Sequence, residues 1–335
     1  MPDRSDFCRK WAGRGAGAFL TVAVGLTLLL WAAADLWWPA TLLLFGPRWW
    51  LAVPAVAVVV GAAAVRSRVG VAAGGVALGV ALVPFAGLTV SLGPVLGGES
   101  GAGRLRLVTL NADAKSLNKA AFAAFLEATR PDVLLVQDAG SFGLKPADLP
   151  DGWHVAGRGS MRAASPHPVE FVEDFFRSEF GAGRGAARFR FDTPQLGAVT
   201  VTSVHLPTPR NGLAAAMHAA PGAGAQLDHD STARADASAR VLEWANGAGD
   251  LLLAGDFNTP PESRIYRRDW AAYRNAFSAC GTGFGFTMTT HRAAVRIDHV
   301  LFAPPWECRD CWVGPGVGSA HRPVVADFVL TGGGP

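Results

Sequence analysis

Cysteine is scarce in this chain of 335 residues, which carries only Cys8, Cys280, Cys308 and Cys311. Cys308-Arg309-Asp310-Cys311 is one C-x-x-C pair with no second pair beside it, which excludes a four-cysteine structural zinc site. A local disulfide and two free thiols both remain open there, and neither reading gives the pair a catalytic role. Excess charge is also lacking, with a formal net charge of +3. Of the 30 Lys and Arg, 7 fall in the first 100 residues, and of the 27 Asp and Glu, 4 do, so each kind numbers 23 in the remainder. The remainder is therefore neutral, which excludes a phosphate-backbone surface built on bulk charge. No internal repeat stands out. Low complexity is confined to a Gly-rich linker at 93–103 and the tail Thr331–Pro335.

Long apolar runs are abundant, and all lie before residue 93. Ala16–Trp38 contains one charged residue, Asp35, while Trp49–Val65 and Val69–Leu92 contain none. Each is near the length that crosses a bilayer, predicting three transmembrane helices, or two as the alternative. Trp31, Trp37, Trp38, Trp49 and Trp50 crowd the region between the first two, as aromatic belts do at an interface. A cleaved signal peptide would leave two further runs unexplained. Arg4, Arg9, Lys10 and Arg14 precede the first run and Arg66 and Arg68 separate the last two, whereas Arg48 alone lies between the first two. Positive flanks stay in the cytoplasm. The expectation is a multi-pass membrane protein with a cytoplasmic N-terminus, a membrane region at 1–92 and an extracytoplasmic catalytic domain at 104–331.

The second part reads as strands that end in polar groups. Leu251-Leu252-Leu253-Ala254-Gly255-Asp256-Phe257-Asn258 is a buried strand delivering a carboxylate and a carboxamide two residues apart, although Gly, Asp and Asn also suit a plain turn. Arg104–Leu110 alternates and ends at Asn111-Ala112-Asp113. A helix over Lys119–Thr129, stopped by Pro131, leads to a strand from Asp132 ending at Gln137-Asp138. Gly197–Leu206 delivers His205, a helix over Asp228–Ala245 follows, Arg296–Phe302 carries Asp298, and a loop with His321 precedes the last strand. The segment Gly140–Phe191 has no clear periodicity. Its run Glu170–Phe176 suits helix, strand or capping loop, with the aromatics assigned to core rather than substrate.

Together, Asn111, Asp113, Asp138, His205, Asp256, Asn258, Asp298 and His321 are a set suited to a hard divalent cation such as Mg²⁺ and to phosphoryl chemistry. In order along the chain, Thr109-Leu110-Asn111, Val136-Gln137-Asp138, Val204-His205-Leu206, Gly255-Asp256-Phe257-Asn258, Arg296-Ile297-Asp298-His299 and Ser319-Ala320-His321-Arg322-Pro323 resemble the endonuclease/exonuclease/phosphatase superfamily, in its membrane-anchored bacterial branch. The resemblance implies an α/β fold, a four-layer α/β/β/α sandwich, and metal-assisted hydrolysis of a phosphoester substrate. It also implies roles. Asn111 and Asp138 hold Mg²⁺, or Mn²⁺, with Asp113 near; Asp256 orients or deprotonates water; Asn258 holds a phosphate oxygen; His205 stabilises charge or protonates the leaving group; His321, paired with Asp298, contacts the scissile phosphate.

Two positions depart from the superfamily pattern. Asp138 stands where glutamate is usual, one methylene shorter, and a displacement of roughly an ångström can cost about a hundredfold in rate. Ala320 replaces an aspartate of a Ser-Asp-His triplet, removing a carboxylate. The reading favoured is an altered but working phosphoesterase, tethered to the membrane by its N-terminal helices and hydrolysing a phosphodiester or phosphomonoester outside the cytoplasm, with a lipid headgroup or small phosphodiester placed ahead of nucleic acid. Nucleic acid is the alternative substrate, with Arg210, Arg264, Arg267 and Arg268 as local contacts. A ligand-binding relative without turnover is the third. Oligomeric state is not encoded in any pattern found.

Overall fold

The structure is a computed structural model that describes residues 4–91, 103–114, 117–140, 144–181, 183–290 and 293–331. The expected linker, except Gly103, and the tail beyond Thr331 lie outside the described residues. The chain forms two compact units, residues 1–88 with 262–264, and residues 89–261 with 265–335.

In the first unit, α1 (Arg4–Ala33), α2 (Trp38–Phe45), α3 (Ala52–Ala64) and α4 (Arg68–Val80) follow one another. Two helical segments, Ser5–Ala33 and Arg68–Phe85, are long and apolar enough to cross a membrane. A third span exists only if α2 and the Arg48–Ala64 segment, bent by 87°, are counted as one. Gly46-Pro47 causes that break: proline disfavours helix at the preceding residue, and Gly46 is extended at ψ 173°. The expected second span therefore begins with a short 3₁₀ turn, Arg48–Leu51, rather than with regular helix. The third expected span leaves regular α-helix at Ala81, where Pro84, lacking an N–H, sits in a π-helical turn.

The second unit is two six-stranded sheets packed face to face. The first sheet runs β13 (Trp306–Val313), β14 (Val324–Leu330), β1 (Arg104–Asn111), β2 (Val133–Gln137), β4 (Met161–Ser165), β3 (His154–Arg158). The second runs β5 (Val169–Phe176), β6 (Gly185–Thr193), β7 (Gly197–His205), β8 (Leu252–Asp256), β12 (Asp298–Phe302), β9 (Arg274–Asn275). A two-stranded ribbon, β10 (Met288–Thr289) with β11 (Ala294–Val295), leads into β12. Strand alternation divides the apolar residues. Leu105 and Leu107 of β1, Val133 and Leu135 of β2, and Leu252, Ala254, Val300 and Phe302 of the facing sheet fill the core between the sheets. Val108, Leu110, Leu134 and Val136 face outward and are covered by Phe122, Phe125 and Leu126 of α5 (Lys119–Thr129). On the other side the chain forms α6 (Arg210–Met217) and α7 (Ala223–Gly247), and Ala237, Val241 and Ala245 of α7 cover Val204, Leu253 and Leu301. These are the four layers expected.

Local chemistry fixes the helix ends. The Asn118 side chain accepts from Ala121 N at 3.0 Å to cap α5, and Arg130 closes it in the left-handed region at φ 49°. The aperiodic segment forms β3 to β6. The aromatics of its acidic run pack inward: Phe171 meets Phe189 edge-on at 5.9 Å, and Phe175 stacks on Trp244 at 5.9 Å. Such pairs contribute about 0.5–1.5 kcal/mol beyond area burial. All four cysteines are free thiols, with Cys280, Cys308 and Cys311 buried.

Candidate active site

The alternation that builds the core also builds the site. Asn111 continues the inward parity of Leu105 and Leu107, and Gln137 that of Val133 and Leu135. His205 continues that of Val199 and Val201, and Asp256 that of Leu252 and Ala254. Asp298 begins the inward row of Val300 and Phe302. Register then sets them side by side: Asp256 is directly opposite Asp298 across an antiparallel pair and beside His205 across a parallel one. One end of the sandwich therefore collects polar side chains because apolar ones stop there.

Asp256 is the hub. Its Oδ2 accepts from Asn111 Nδ2 at 2.7 Å and from Asn258 Nδ2 at 3.1 Å, and its Oδ1 accepts from the Asn258 backbone N–H at 2.9 Å. Two imidazoles face the same oxygen, His205 Nε2 at 3.7 Å and His321 Nε2 at 4.0 Å. Burial, and then the charge of Asp298, raises the Asp256 carboxyl to about 6. Burial opposes a charged His321, but Asp298, 2.8 Å from its Nδ1, outweighs it and lifts the imidazole to about 9. His321 is thus an imidazolium at neutral pH. Ser319 fixes the approach: its hydroxyl donates to Asn111 O at 2.7 Å and accepts from His321 N at 3.0 Å.

His205 is the opposite case. It is buried, and burial followed by the positive charge of Arg184 holds it well below the ordinary histidine range. Arg184 Nη1 lies 3.0 Å from His205 Nδ1. A guanidinium only donates, so Nδ1 accepts and the ring proton sits on Nε2, facing Asp256.

The eight residues expected from the sequence do not all stand in one group. Asp256, Asp298 and His321 have ligand atoms within 4.8 Å of one another, with Asn111, Asn258 and His205 around them. Asn258 Nδ2 also donates to Leu206 O at 2.9 Å, which braces the loop. Asp113 is turned to Arg210, whose Nη2 donates to its Oδ1 at 2.9 Å, while its backbone N–H is taken by Asn111 Oδ1 at 2.8 Å. Asp138 follows the end of β2 in the left-handed region at φ 48°, and its carboxylate lies 3.9 Å from Arg184. Neither joins the close carboxylate group. Of the arginines named as nucleic-acid contacts, Arg210 reaches the site, whereas Arg268 is bonded to Asp269 and to Ala235 O.

Three residues escaped the sequence reading. Gln137 bridges the sheets, its Nε2 donating to Thr109 Oγ1 at 3.0 Å and Ser203 Oγ at 2.9 Å. Its parity in β2 was a usable signal. Thr287 Oγ1 accepts from the backbone of Ile297 and of Asp298, both at 3.1 Å, and Arg184 precedes β6 in the aperiodic segment. Neither carries a pattern in the sequence.

Among the described residues, a divalent cation fits this donor set at one place. Asp298 Oδ1 is buried with no hydrogen-bond partner, and it belongs to the group formed with Asp256 and His321. An orphaned carboxylate oxygen beside a second carboxylate is the ligand chemistry of a hard cation.

The fold has relatives among solved structures. An endonuclease/exonuclease/phosphatase family protein from Bacteroides thetaiotaomicron is 14% identical at a TM-score of 0.52, covering 69% of this chain and 100% of that one. An AP endonuclease from Archaeoglobus fulgidus is 16% identical at 0.51, covering 68% and 100%. A mannosyl-6-phosphatase from Bacteroides thetaiotaomicron is 15% identical at 0.50, covering 68% and 100%. At these identities the likeness is one of fold. Comparison with curated protein sequences gives no match. The model of the endonuclease/exonuclease/phosphatase family matches residues 99–321, which include the whole cluster around Asp256, and the chain belongs to that family.

Proposed function

We propose that this protein is a membrane-anchored phosphoesterase that hydrolyses a small or lipid-borne phosphate ester outside the cytoplasm. The observation that carries the reading is the buried group of Asp256, Asp298 and His321, ringed by Asn111 and His205 at the polar end of the sandwich. Apolar N-terminal helices with basic flanks support the anchor and its orientation. The neutral second part favours a small ester over a polynucleotide, whose binding draws on clustered positive charge.

Asp256 and Asp298 would hold a divalent cation, Mg²⁺ or Mn²⁺, which when bound supplies Lewis-acid polarisation of a phosphoryl oxygen. The remaining work falls to side chains. Asp256, ionised above about pH 6, orients water and takes its proton. Asn111 and Asn258 fix the carboxylate rotamer through three hydrogen bonds. His321, held protonated by Asp298, offers Nε2–H to charge developing on phosphoryl oxygens, and neutral His205 offers a second N–H from the other side. Asp113 and Asp138 pair with Arg210 and Arg184 instead of adding to the central negative charge.

The test is hydrolysis of chromogenic phosphate esters by the full-length protein in detergent, with Mg²⁺, Mn²⁺ or chelator. Turnover that needs metal and disappears in Asp256→Ala and His321→Ala is the expected result. A folded protein inert with every metal and ester overturns the proposal and leaves a ligand-binding relative.

A further inference from the structure

Two guanidiniums stand at the mouth of this site, brought there from different elements. Arg184 is the residue before β6, and Arg210 opens α6. Arg184 touches His205 Nδ1 at 3.0 Å and lies 3.9 Å from Asp138. Arg210 bonds Asp113 at 2.9 Å, and Asp113 in turn lies close enough to His321 to help hold its proton. Both positive charges bear on His205. Arg184 thus touches one of the imidazoles on which a phosphoryl group would rest, and Arg210 holds Asp113, whose backbone N–H is bonded to Asn111.

A merely structural reading of these contacts accounts poorly for Arg210. Its side chain is 56% exposed, and an ion pair so open to solvent adds little to stability. Each guanidinium has five N–H donors in a planar fork matched to two oxygens of a phosphate. Arg210 gives one bond to Asp113, and Arg184 one to His205 with Asp138 at 3.9 Å, so each fork retains further donors.

Phosphate charge decides which ester such donors suit. A diester exposes two non-bridging oxygens sharing one charge, which the Nε2–H groups proposed above for His205 and His321 would serve. A monoester exposes three oxygens and carries nearly a second charge at neutral pH, its second pKa being about 6. The shorter Asp138, in place of glutamate, pairs with Arg184 rather than joining the carboxylate group, which keeps a fixed cation beside His205. We propose that Arg184 and Arg210 form a clamp for the third oxygen of a dianionic phosphomonoester, making a terminal phosphate group the preferred substrate class. This deepens, and rests on, the phosphoesterase reading above.

The experiment uses full-length protein in detergent with Mg²⁺ and compares p-nitrophenyl phosphate with bis(p-nitrophenyl) phosphate. Arg210→Gln is the principal variant, because an exposed side chain can be changed without threatening the fold; Arg184→Gln accompanies it. Binding of inorganic phosphate is measured by calorimetry in parallel. The wild type is expected to prefer the monoester in kcat/KM, and Arg210→Gln to lose about tenfold more on the monoester than on the diester, chiefly through KM. Phosphate affinity falls by a similar factor, and Arg210→Lys restores only part of it. Equal losses on both esters, or a wild type that prefers the diester, overturn the clamp. If neither ester turns over, the phosphoesterase reading fails, and calorimetry still decides the clamp: weaker phosphate binding in both variants supports it, and unchanged binding overturns it. Phosphatidate micelles and glucose 6-phosphate, run as further substrates, tell a lipid-borne terminal phosphate from a soluble one.

Discussion

Changing Asp298 to Asn keeps the shape of the side chain and removes the charge that holds His321 protonated. The pair is 2.8 Å apart, with side chains 3% and 1% exposed, so solvent screens it little. The gap between about 9 for His321 and its ordinary 6.5 corresponds to about 3 kcal/mol, and burial alone would push the imidazole the other way. Without the carboxylate charge, burial is opposed only by the charges of Asp256 and Asp113, and the His321 imidazole falls back toward its ordinary value. A charge-assisted hydrogen bond contributes about 1.5–3 kcal/mol, which sets the expected fall in kcat/KM at no less than about 10- to 150-fold, since Asp298 would also be a ligand of the cation. The assay is a pH–rate profile of the full-length protein on a chromogenic ester at saturating Mg²⁺, with thermal unfolding as the control for folding. In the wild type, activity declines on the alkaline side as His321 deprotonates near pH 9. In Asp298→Asn that limb moves toward acid by more than about one pH unit. The linked stability has a definite sign. A raised histidine pKa contributes stability that is complete below about 6.5 and is lost as pH climbs through about 9, so the wild type loses more stability between these values than the variant does. An alkaline limb that stays in place, with less than about threefold loss in rate, would refute the charge-pairing argument.

Three further outcomes are expected. Asp256→Asn removes the acidic limb that otherwise rises through about pH 6 and lowers kcat at least about a hundredfold; a surviving limb would move the base elsewhere. Gly255→Ala destabilises the unit by about 2 kcal/mol or more, because Gly255 has φ 149° and an added Cβ would collide with Val204 O; an unchanged melting temperature would contradict the close approach of β7 and β8. Arg188→Met leaves buried Asp250 without its two-bonded partner at 2.8 Å, costing about 3–5 kcal/mol in denaturant unfolding, and Asp250→Asn in the same background should recover part of it.

How much could be read in advance depended on whether a residue's position followed from periodicity. Asn111 and His205 stand at the ends of strands whose alternation is visible in the sequence, and alternation sends them inward between the sheets, whereas Asp256 and Asp298 belong to continuous apolar runs that mark buried strands without sorting their faces. Gln137 ends such a run and follows the alternation rule in the structure. Asp138 breaks it: one residue past the strand, in left-handed backbone, its direction is set by the turn and by Arg184. The segment Gly140–Phe191 hid four strands because β5 is an edge strand with exposed Glu170, Val172 and Glu173, so its faces are not sorted by polarity. In the membrane region hydropathy marked the apolar runs, but the bend at Gly46-Pro47, between the first two of them, decides whether α2 and the Arg48–Ala64 segment make one span.

By itself, then, the sequence determined the apolar helices and the strand ends that carry polar groups, because each follows from hydropathy or from a local period of 2 or 3.6 residues, while the layered sandwich was implied by the family resemblance of its ordered motifs. Tertiary structure alone decided which of those groups meet. Asp256 faces Asp298 and His205 through strand register, His321 arrives from a loop tied down by Ser319, and two arginines claim Asp113 and Asp138. The physical reason is that hydrogen-bond register and loop closure act between residues far apart in the chain, where no local pattern records the partner.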